Sequence, residues 1–472
     1  MQAKKVRTFG FADKLGYLFG DFGNDFTFIF STTILMKFYT DVMSISAAAV
    51  GAVMMLARFV DAFTDVAMGR ICDRSKGNKN GKFKPWLLRM CVPVAITSFL
   101  IYQSSLADMP YIFKLIYLFV TYILWGSVFY TSINIPYGSM ASAVSAEPGD
   151  RQSLSTFRTM GGMFAGMIIG VGLPVFAYEK IDGVEKLVGS KVTLLAGIFS
   201  VLAVVCYLLC YKLVTERIRP EVSKDDFKNN SIKKMLFNAV KNRALISIIV
   251  ASVVMLLAQL TMQSMANYVY PDYYNNASAQ SVSTLLMMTG MIVSAIFSKP
   301  LCKKFGKAEV SVVSNFFAGG VCILLFFFRP ESVWVYAGVQ MLCWLGLGMF
   351  SMVNWALITD VIDYSEIKNG IREDGSVYAL YSFARKLGQA VAAGLSGALL
   401  TMIGYNTTAT LQGVSQPQSV KDGIYDISTL VPALGFILLA IVLSFWYPLH
   451  KKQVDENVRI LREKHKNSAT IK

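Results

Sequence analysis

The hydrophobic positions of this chain do not alternate with polar ones. They run together in blocks of about twenty residues, separated by short polar stretches. A helical block of that length reaches across a hydrocarbon layer of about 30 Å. The pattern predicts spanning helices at 15–40, 45–69, 85–106, 111–138, 155–177, 191–213, 244–270, 281–303, 308–328, 332–359, 376–403 and 427–447. The first contains acids and the eleventh contains Arg385 and Lys386, so these two are the least apolar. The polar stretches carry a second pattern. Segments 1–14, 70–84, 139–154, 214–243, 299–307, 360–375 and 450–472 hold about 32 Lys and Arg, against about 4 in the connections of the opposite side. The positive-inside rule then puts both ends of the chain in the cytoplasm. An odd number of spans would destroy this alternation, so the count of twelve is better supported than any single span.

The long basic connection 214–243 falls between the sixth and seventh blocks. The expected organisation is an N-terminal six-helix half at 1–213, a cytoplasmic middle loop at 214–243, a C-terminal six-helix half at 244–449 and a basic cytoplasmic tail at 450–472. The basic stretch Gly69 to Lys84 after the second block has a weak echo in Lys303-Lys304-Phe305-Gly306-Lys307 after the eighth. Two six-helix halves related by an axis along the membrane normal define the major facilitator architecture, an all-α membrane fold with substrate bound between the halves near mid-membrane.

Composition agrees. The 472 residues are 54% hydrophobic and 16% charged, with mean hydropathy +0.49, where soluble proteins carry about 25% charged residues. The net charge of +15 is explained by basic loops, and no nucleic-acid partner is expected. Residues 1–14 are polar and basic and the first apolar block is too long for the core of a cleavable signal, so the first helix is expected to remain as a signal-anchor. The seven cysteines lie mostly in apolar runs without metal-ligand spacing and read as small buried hydrophobes. The only histidines, His450 and His465, lie in the tail. No enzyme activity, cofactor or metal beyond a possible Na⁺ is expected, and no nucleotide motif is present for ATP to drive the protein.

Charges inside a membrane cost about 2.5–3.5 kcal/mol each on insertion scales and persist where they face a cavity. On the second block Arg58, Asp61 and Asp65 are spaced i, i+3, i+7 and share one helix face. Two nearby carboxylates in low dielectric do not both stay ionised unaided. Arg58 offsets one charge, and the remaining charge near −1 suits one Na⁺, Li⁺ or proton, with the Thr64 hydroxyl as an added oxygen ligand. The alternatives are a structural ion-pair network and a helix end near the cytoplasm. On the first block Asp21 and Asp25 lie one turn apart. Asp25, the deeper, suits two neighbouring sugar hydroxyls, while Asp21 reads as a cap or a water-facing residue. The fourth block ends Tyr130-Thr131-Ser132-Ile133-Asn134-Ile135-Pro136-Tyr137. Asn134 both donates and accepts there, and the proline frees backbone groups. Arg158 and Lys386 are donors for sugar hydroxyls or for the acids, with snorkelling to the interface as the alternative for Arg158. Arg385 points about 100° from Lys386, to a helix interface or gate. Trp125 and Trp355 are the mid-span aromatic candidates for stacking on a sugar. The stretch Asp360 to Lys368 with Arg372, Glu373 and Asp374 carries both signs. Asp360, Asp363 and Arg372 there, with Asp150 and Arg151, are candidates for ion pairs that close a cytoplasmic gate, and a solvated loop is the alternative.

Together, Gly20-Asp21-Phe22-Gly23-Asn24-Asp25-Phe26, Phe38-Tyr39-Thr40-Asp41-Val42, Arg58 through Asp65, Gly81-Lys82-Phe83-Lys84-Pro85-Trp86, Thr121 through Gly126, Asp360 through Glu366 and Arg385-Lys386-Leu387-Gly388 resemble the glycoside–pentoside–hexuronide:cation symporter family of the major facilitator superfamily. The resemblance covers nearly the whole chain. It implies that Asp61 and Asp65 bind the coupling cation with help from Thr131. It also implies that Asp25 and Arg158 bind the sugar and that Lys386 lies near both sites, and Asn134 and Tyr130 of the fourth block are expected to join the sugar site. The chain departs from the family's melibiose-transporting members. It has Asn134 where they have aspartate, Gly138 where they have tryptophan, Asn24 where they have lysine and Thr64 where they have asparagine. The Asn-Ile-Pro-Tyr form and the Arg372-Glu373-Asp374-Gly375 stretch look more like the xyloside and glucuronide branches.

The expectation is a multi-pass inner-membrane carrier that takes up a glycoside or small oligosaccharide with Na⁺ or H⁺ by alternating access. Its partners would be the sugar, a monovalent cation and the bilayer. A cation-coupled lysophospholipid carrier of the same fold is the alternative. A membrane-embedded enzyme or sensor is disfavoured by the lack of intramembrane histidine and of a signalling domain.

Overall fold

The computed structural model describes residues 7–75, 77–78, 81–218, 242–369, 374–409 and 414–470. Among the described residues, twelve long helices succeed one another in chain order: α1 Phe11–Asp41, α2 Ala47–Arg74, α3 Lys84–Ile101, α4 Tyr111–Val144, α5 Pro148–Ala177, α6 Gly189–Leu213, α7 Arg243–Tyr268, α8 Ser278–Phe305, α9 Lys307–Phe328, α10 Val333–Asn369, α11 Asp374–Met402 and α12 Gln418–Ile441. A short antiparallel hairpin, β1 Tyr178–Ile181 with β2 Val184–Leu187, joins α5 to α6, and α13 Lys451–Thr470 comes after α12. Ten of the twelve are long and apolar enough to cross a membrane. The two that fall short are α1, with Asp21, Asp25, Lys37 and Asp41 on it, and α11, with Arg385 and Lys386.

Several helices outlast their apolar blocks. α4 runs to Val144 and α5 starts at Pro148, so the expected 139–154 loop shrinks to residues 145–147. α10 runs to Asn369, so Asp360 to Glu366 are helical and not part of a loop. Met140, Ala141 and Ala143 continue α4, and Glu366 and Lys368 continue α10, at little cost. Arg372 and most of the middle loop lie outside the described residues. Among the described residues, wide π turns lie at Leu124–Tyr130 inside α4, at Val269–Tyr273 directly after α7 and at Val442–Trp446 directly after α12.

The chain forms two compact units. The first comprises Met1–Lys224 with Tyr270–Ser281 and Gly394–Val420, and the second Asp225–Val269, Val282–Ala393 and Lys421–Lys472. The first unit takes in two short segments from beyond the middle loop because they supply Asp272 and Tyr405 to a buried charge cluster centred on Lys37.

In the first unit α1 packs along α5 and α6, and glycines set the spacing. A Cβ at Gly161 would stand 3.1 Å from the Asp21 Cβ and closer still to the Leu18 carbonyl, so the α1 and α5 backbones touch there. Tyr17 and Tyr137 stack at 4.8 Å, and each hydroxyl donates to the other's carbonyl oxygen. At the helix ends the buried Asp13 pairs with Arg217 at 2.8 Å and Arg7 at 3.0 Å. Glu216 accepts from the backbone N–H groups of Lys82, Phe83 and Lys84, meeting the free donors at the start of α3. The second unit is cored by residues such as Ile248, Leu347, Phe350, Phe436 and Leu439. Large apolar side chains such as Phe63, Leu194, Phe327 and Phe445 face outward, as a lipid-facing surface requires.

Candidate functional site

Two of the charged clusters that the sequence singled out lie within the first unit. The first joins α2 to α4. Arg58 Nη1 is 3.3 Å from Asp61 Oδ2, and the Arg58 guanidinium covers the Phe28 ring at 4.9 Å. Asp61 accepts a hydrogen bond from Ser127 Oγ, and Asp65 Oδ1 accepts one from Thr131 Oγ1 at 2.8 Å. The π turn Leu124–Tyr130 carries Ser127 and ends one residue before Thr131. π turns are rare and recur where a helix must aim side chains at a functional site. Gly126 keeps the wall open, since a Cβ there would already touch Asp61 Oδ1 at 3.6 Å. The cluster thus gathers two carboxylates and two hydroxyls, all hard oxygen donors, with one guanidinium set against two carboxyls. Thr64 does not join it. Its hydroxyl bonds back to the Val60 and Asp61 carbonyls of its own helix, a common use of threonine in an apolar helix.

The second cluster joins α1 to α5. Arg158 Nε is 3.0 Å from Asp21 Oδ1, and its guanidinium lies 5.2 Å above the Tyr137 ring. Asp21 is 8% exposed. It is neither a cap nor a water-facing residue: α1 begins at Phe11, so Asp21 is about 15 Å inside the helix. Arg158 likewise does not snorkel away but turns to Asp21. Asp25 is half-buried one turn deeper. Gly162 of α5 faces both acids, because a Cβ there would stand 2.5 Å from Asp25 Oδ2 and 3.1 Å from Asp21 Oδ2. Asn134 Oδ1 accepts from Asn24 Nδ2 at 3.4 Å, and Asn24 Oδ1 accepts from the Tyr207 hydroxyl at 2.9 Å. The Tyr130 ring stacks on Phe28 at 5.5 Å and leans on Trp125. Phe28 thus touches both Arg58 and Tyr130. Trp125 is 1% exposed, so it offers no open face to a sugar.

The remaining sequence candidates are distributed otherwise. Lys386 lies half-buried on α11, in the second unit. Asp360 pairs with Lys307 at 2.5 Å within that unit, and Asp363 is half-buried one turn on. Arg151 Nε donates to the Ser145 carbonyl at 2.8 Å, and Asp150 accepts from Ser145 Oγ at 2.6 Å. These two therefore brace the short α4–α5 connection.

Sequence reasoning missed a third cluster. Lys37 Nζ lies 2.8 Å from Asp41 Oδ2, 2.5 Å from Asp272 Oδ2 and 2.9 Å from the Tyr405 hydroxyl, which also meets Asp41 at 2.9 Å and Asp272 at 3.1 Å. Lys37 and Asp41 are almost fully buried. The signal was present: a lysine and an aspartate at i, i+4 inside an apolar run. Ser127 was also missed, because nothing in its neighbours marks the π turn.

The chain has relatives along its whole length. The family model described as MFS/sugar transport protein matches residues 16–451. The uncharacterized symporter YjmB of Bacillus subtilis is 31% identical over 96% of this chain and 95% of its own. The glucuronide carrier protein homolog of Escherichia coli is 31% identical over 94% of each chain. The isoprimeverose transporter of Lactiplantibacillus pentosus is 29% identical over 92% of this chain and 88% of its own. Among solved structures, the nucleoside transporter NupG aligns with a TM-score of 0.64 at 14% identity, over 93% of this chain and 99% of its own. The D-xylose-proton symporter aligns with a TM-score of 0.61 at 13% identity, over 92% and 97%. At those identities the structural likeness speaks for the fold alone, twelve helices of the major facilitator type. The charged α1 and α2 faces, the full-length family match and these relatives agree: this chain belongs to the MFS/sugar transport protein family, as a multi-pass membrane transporter of the glycoside–pentoside–hexuronide symporter group.

Proposed function

We propose that this protein takes up a glycoside or small oligosaccharide across the inner membrane in symport with Na⁺ or H⁺, with both termini in the cytoplasm. The observation that carries the reading is the pair of acid clusters in the first unit. Asp61 and Asp65, with the Ser127 and Thr131 hydroxyls, form the coupling-ion site, and Arg58 balances one of the two carboxylates. Asp25, Asn134, Tyr130 and Arg158 serve the sugar, with Asp21 positioning Arg158 and Lys386 as a further donor. The site without its cation carries buried negative charge, which disfavours occlusion. A bound cation removes that cost, and each ligand then strengthens the other's binding. The loaded carrier rocks between outward and inward states around a site near mid-membrane. The lysophospholipid alternative would need an apolar cleft for acyl chains, and the polar residues of the α1–α5 cluster suit hydroxyl groups better.

Uptake of labelled methyl glycosides into proteoliposomes tests this, with an imposed Na⁺ gradient in one arm and a pH gradient in the other. Accumulation above equilibrium in one arm is expected. Accumulation in neither, or uptake of lysophospholipid alone, would overturn the proposal.

A further inference from the structure

Phe28 touches both acid clusters of the first unit and carries no polar group of its own. It follows Asp25 by three residues and Asp21 by seven, on the face of α1 that bears both acids. The Arg58 guanidinium carbon lies 4.9 Å from the centre of its ring. The same ring stacks on Tyr130 at 5.5 Å, with 20° between the planes. Tyr130 also leans on Trp125 at 5.5 Å, and Trp125 is fully buried against Tyr122. Tyr130 is thus packed against one fixed ring, Trp125, and one that answers to Arg58, Phe28. Its hydroxyl sits in the field of Asp25 above all, then of Asp21, Arg158 and Arg58. It therefore senses the charges of both clusters.

Arg58 is the member of this chain that a bound cation changes first. Its Nη1 lies 3.3 Å from Asp61 Oδ2, longer than the about 2.7–2.9 Å of a tight charge-assisted bond. The Phe28 ring shares the guanidinium with that carboxylate. A cation held among Asp61, Asp65 and the Ser127 and Thr131 hydroxyls draws on the same Asp61 charge and repels the guanidinium. The face of Phe28 is an attractive surface already in contact with it. A guanidinium that shifts toward Phe28 presses that ring on Tyr130, beside Asp25. The π turn Leu124–Tyr130 is a second route between the sites, since it carries both Ser127 and Tyr130. Only the ring route can be cut without altering a polar group of either cluster.

We propose that Phe28 is a positioning residue that couples the two sites, its contacts with Arg58 and Tyr130 carrying cation occupancy to the sugar. The proposal rests on the symport reading and names the side chain through which the two ligands act on each other.

The test is a thermodynamic cycle on the purified full-length protein. Binding of methyl β-D-glucoside, methyl β-D-galactoside and methyl β-D-xyloside is measured by isothermal titration in NaCl and in choline chloride of equal ionic strength, at acid and at neutral pH. The readout is the coupling factor, the ratio of sugar affinity with the cation to that without it. In the wild type, Na⁺ or H⁺ should tighten at least one sugar about 5–150-fold, the usual range of such couplings. In Phe28→Leu that factor should fall at least about fivefold, while sugar affinity without the cation stays close to that of the wild type. Phe28→Met fills the space with a flexible chain and no ring. It should behave as Phe28→Leu does, and takes its place if the leucine variant does not fold. Phe28→Tyr keeps the ring and should keep the factor. Coupling is reciprocal, so cation affinity measured with and without sugar should show the same loss. An unchanged factor in Phe28→Leu or Phe28→Met overturns the proposal and leaves the symport reading standing. Sugar affinity lowered equally with and without the cation makes Phe28 a sugar contact or a packing residue, and also overturns it. So does a factor lost as fully in Phe28→Tyr. A wild type that binds none of the three sugars, or binds them with a factor of one under both ions, overturns the symport reading as well.

Discussion

Asp61 accepts from Ser127 beside Arg58, and Asp65 accepts from Thr131. Asparagine at either position is expected to abolish cation-coupled accumulation while downhill exchange of sugar survives. A wild-type accumulation ratio in either variant would remove the coupling-ion assignment. Asp61→Asn also strands Arg58. Breaking one side of a buried pair costs about 3–5 kcal/mol, so Asp61→Asn should melt at a lower temperature than the wild type. For the sugar, Asp25→Asn should lower affinity at least about tenfold and leave cation binding without sugar much less affected. Collapse of cation affinity with sugar affinity retained would mean that the two sites are exchanged. At this scale the residue types were legible and their partners were not. An acid inside an apolar run announces itself, but Asp21 and Arg158 are 137 residues apart, and only the fold can introduce them. Thr64 misled because it sits beside the right acids on the wrong side of the helix.

Helices were the most legible objects, since each block of apolar residues became one. Their ends were less so, because the helices at Val144 and Asn369 continue past the apolar block into residues that are good helix formers anyway. The π turn in α4 was invisible, since its composition is that of any membrane helix. It makes a sharp prediction. One residue removed from Leu124–Tyr130, for example Val128, closes the wide turn to α geometry and changes the angle between Ser127 and Thr131 on the helix. The two hydroxyls then no longer meet Asp61 and Asp65 together. The half-saturating cation concentration should rise roughly tenfold with helical content by circular dichroism unchanged, and wild-type cation dependence would show that the turn does not set the site. The contact between α1 and α5 offers a milder test. Gly162→Ala pushes a methyl group against the Asp25 and Asp21 carboxylates. Sugar affinity should drop roughly tenfold, and an unchanged affinity would place the sugar elsewhere.

For the whole molecule, charge asymmetry fixed the expected topology. Reporters fused after residues 230 and 460 should both report the cytoplasm, and opposite sides would break the two-half organisation. Less legible was the way segments beyond the middle loop join the first unit. That depends on Lys37, whose four-membered cluster spans 368 residues of sequence. Lys37→Met leaves Asp41 and Asp272 buried without their cation, and should cost about 3–5 kcal/mol in detergent unfolding. Lys37→Met combined with Asp272→Asn should recover part of that loss, and strict additivity of the two changes would mean that they do not act as one network.

The two helices least suited to a bilayer are α1, with Asp21, Asp25 and Lys37, and α11, with Arg385 and Lys386. Synthesis makes this matter. At about 5–20 residues per second, α1 waits roughly 7–27 s for Arg158 to be made and roughly 12–47 s for Asp272, given separations of 137 and 235 residues. During that interval Asp21 and Lys37 have no partner from a later helix. The ribosome's own order thus exposes the working charges first and neutralises them last, and any change that strengthens the charge on α1 to improve transport also lengthens the odds against a finished molecule.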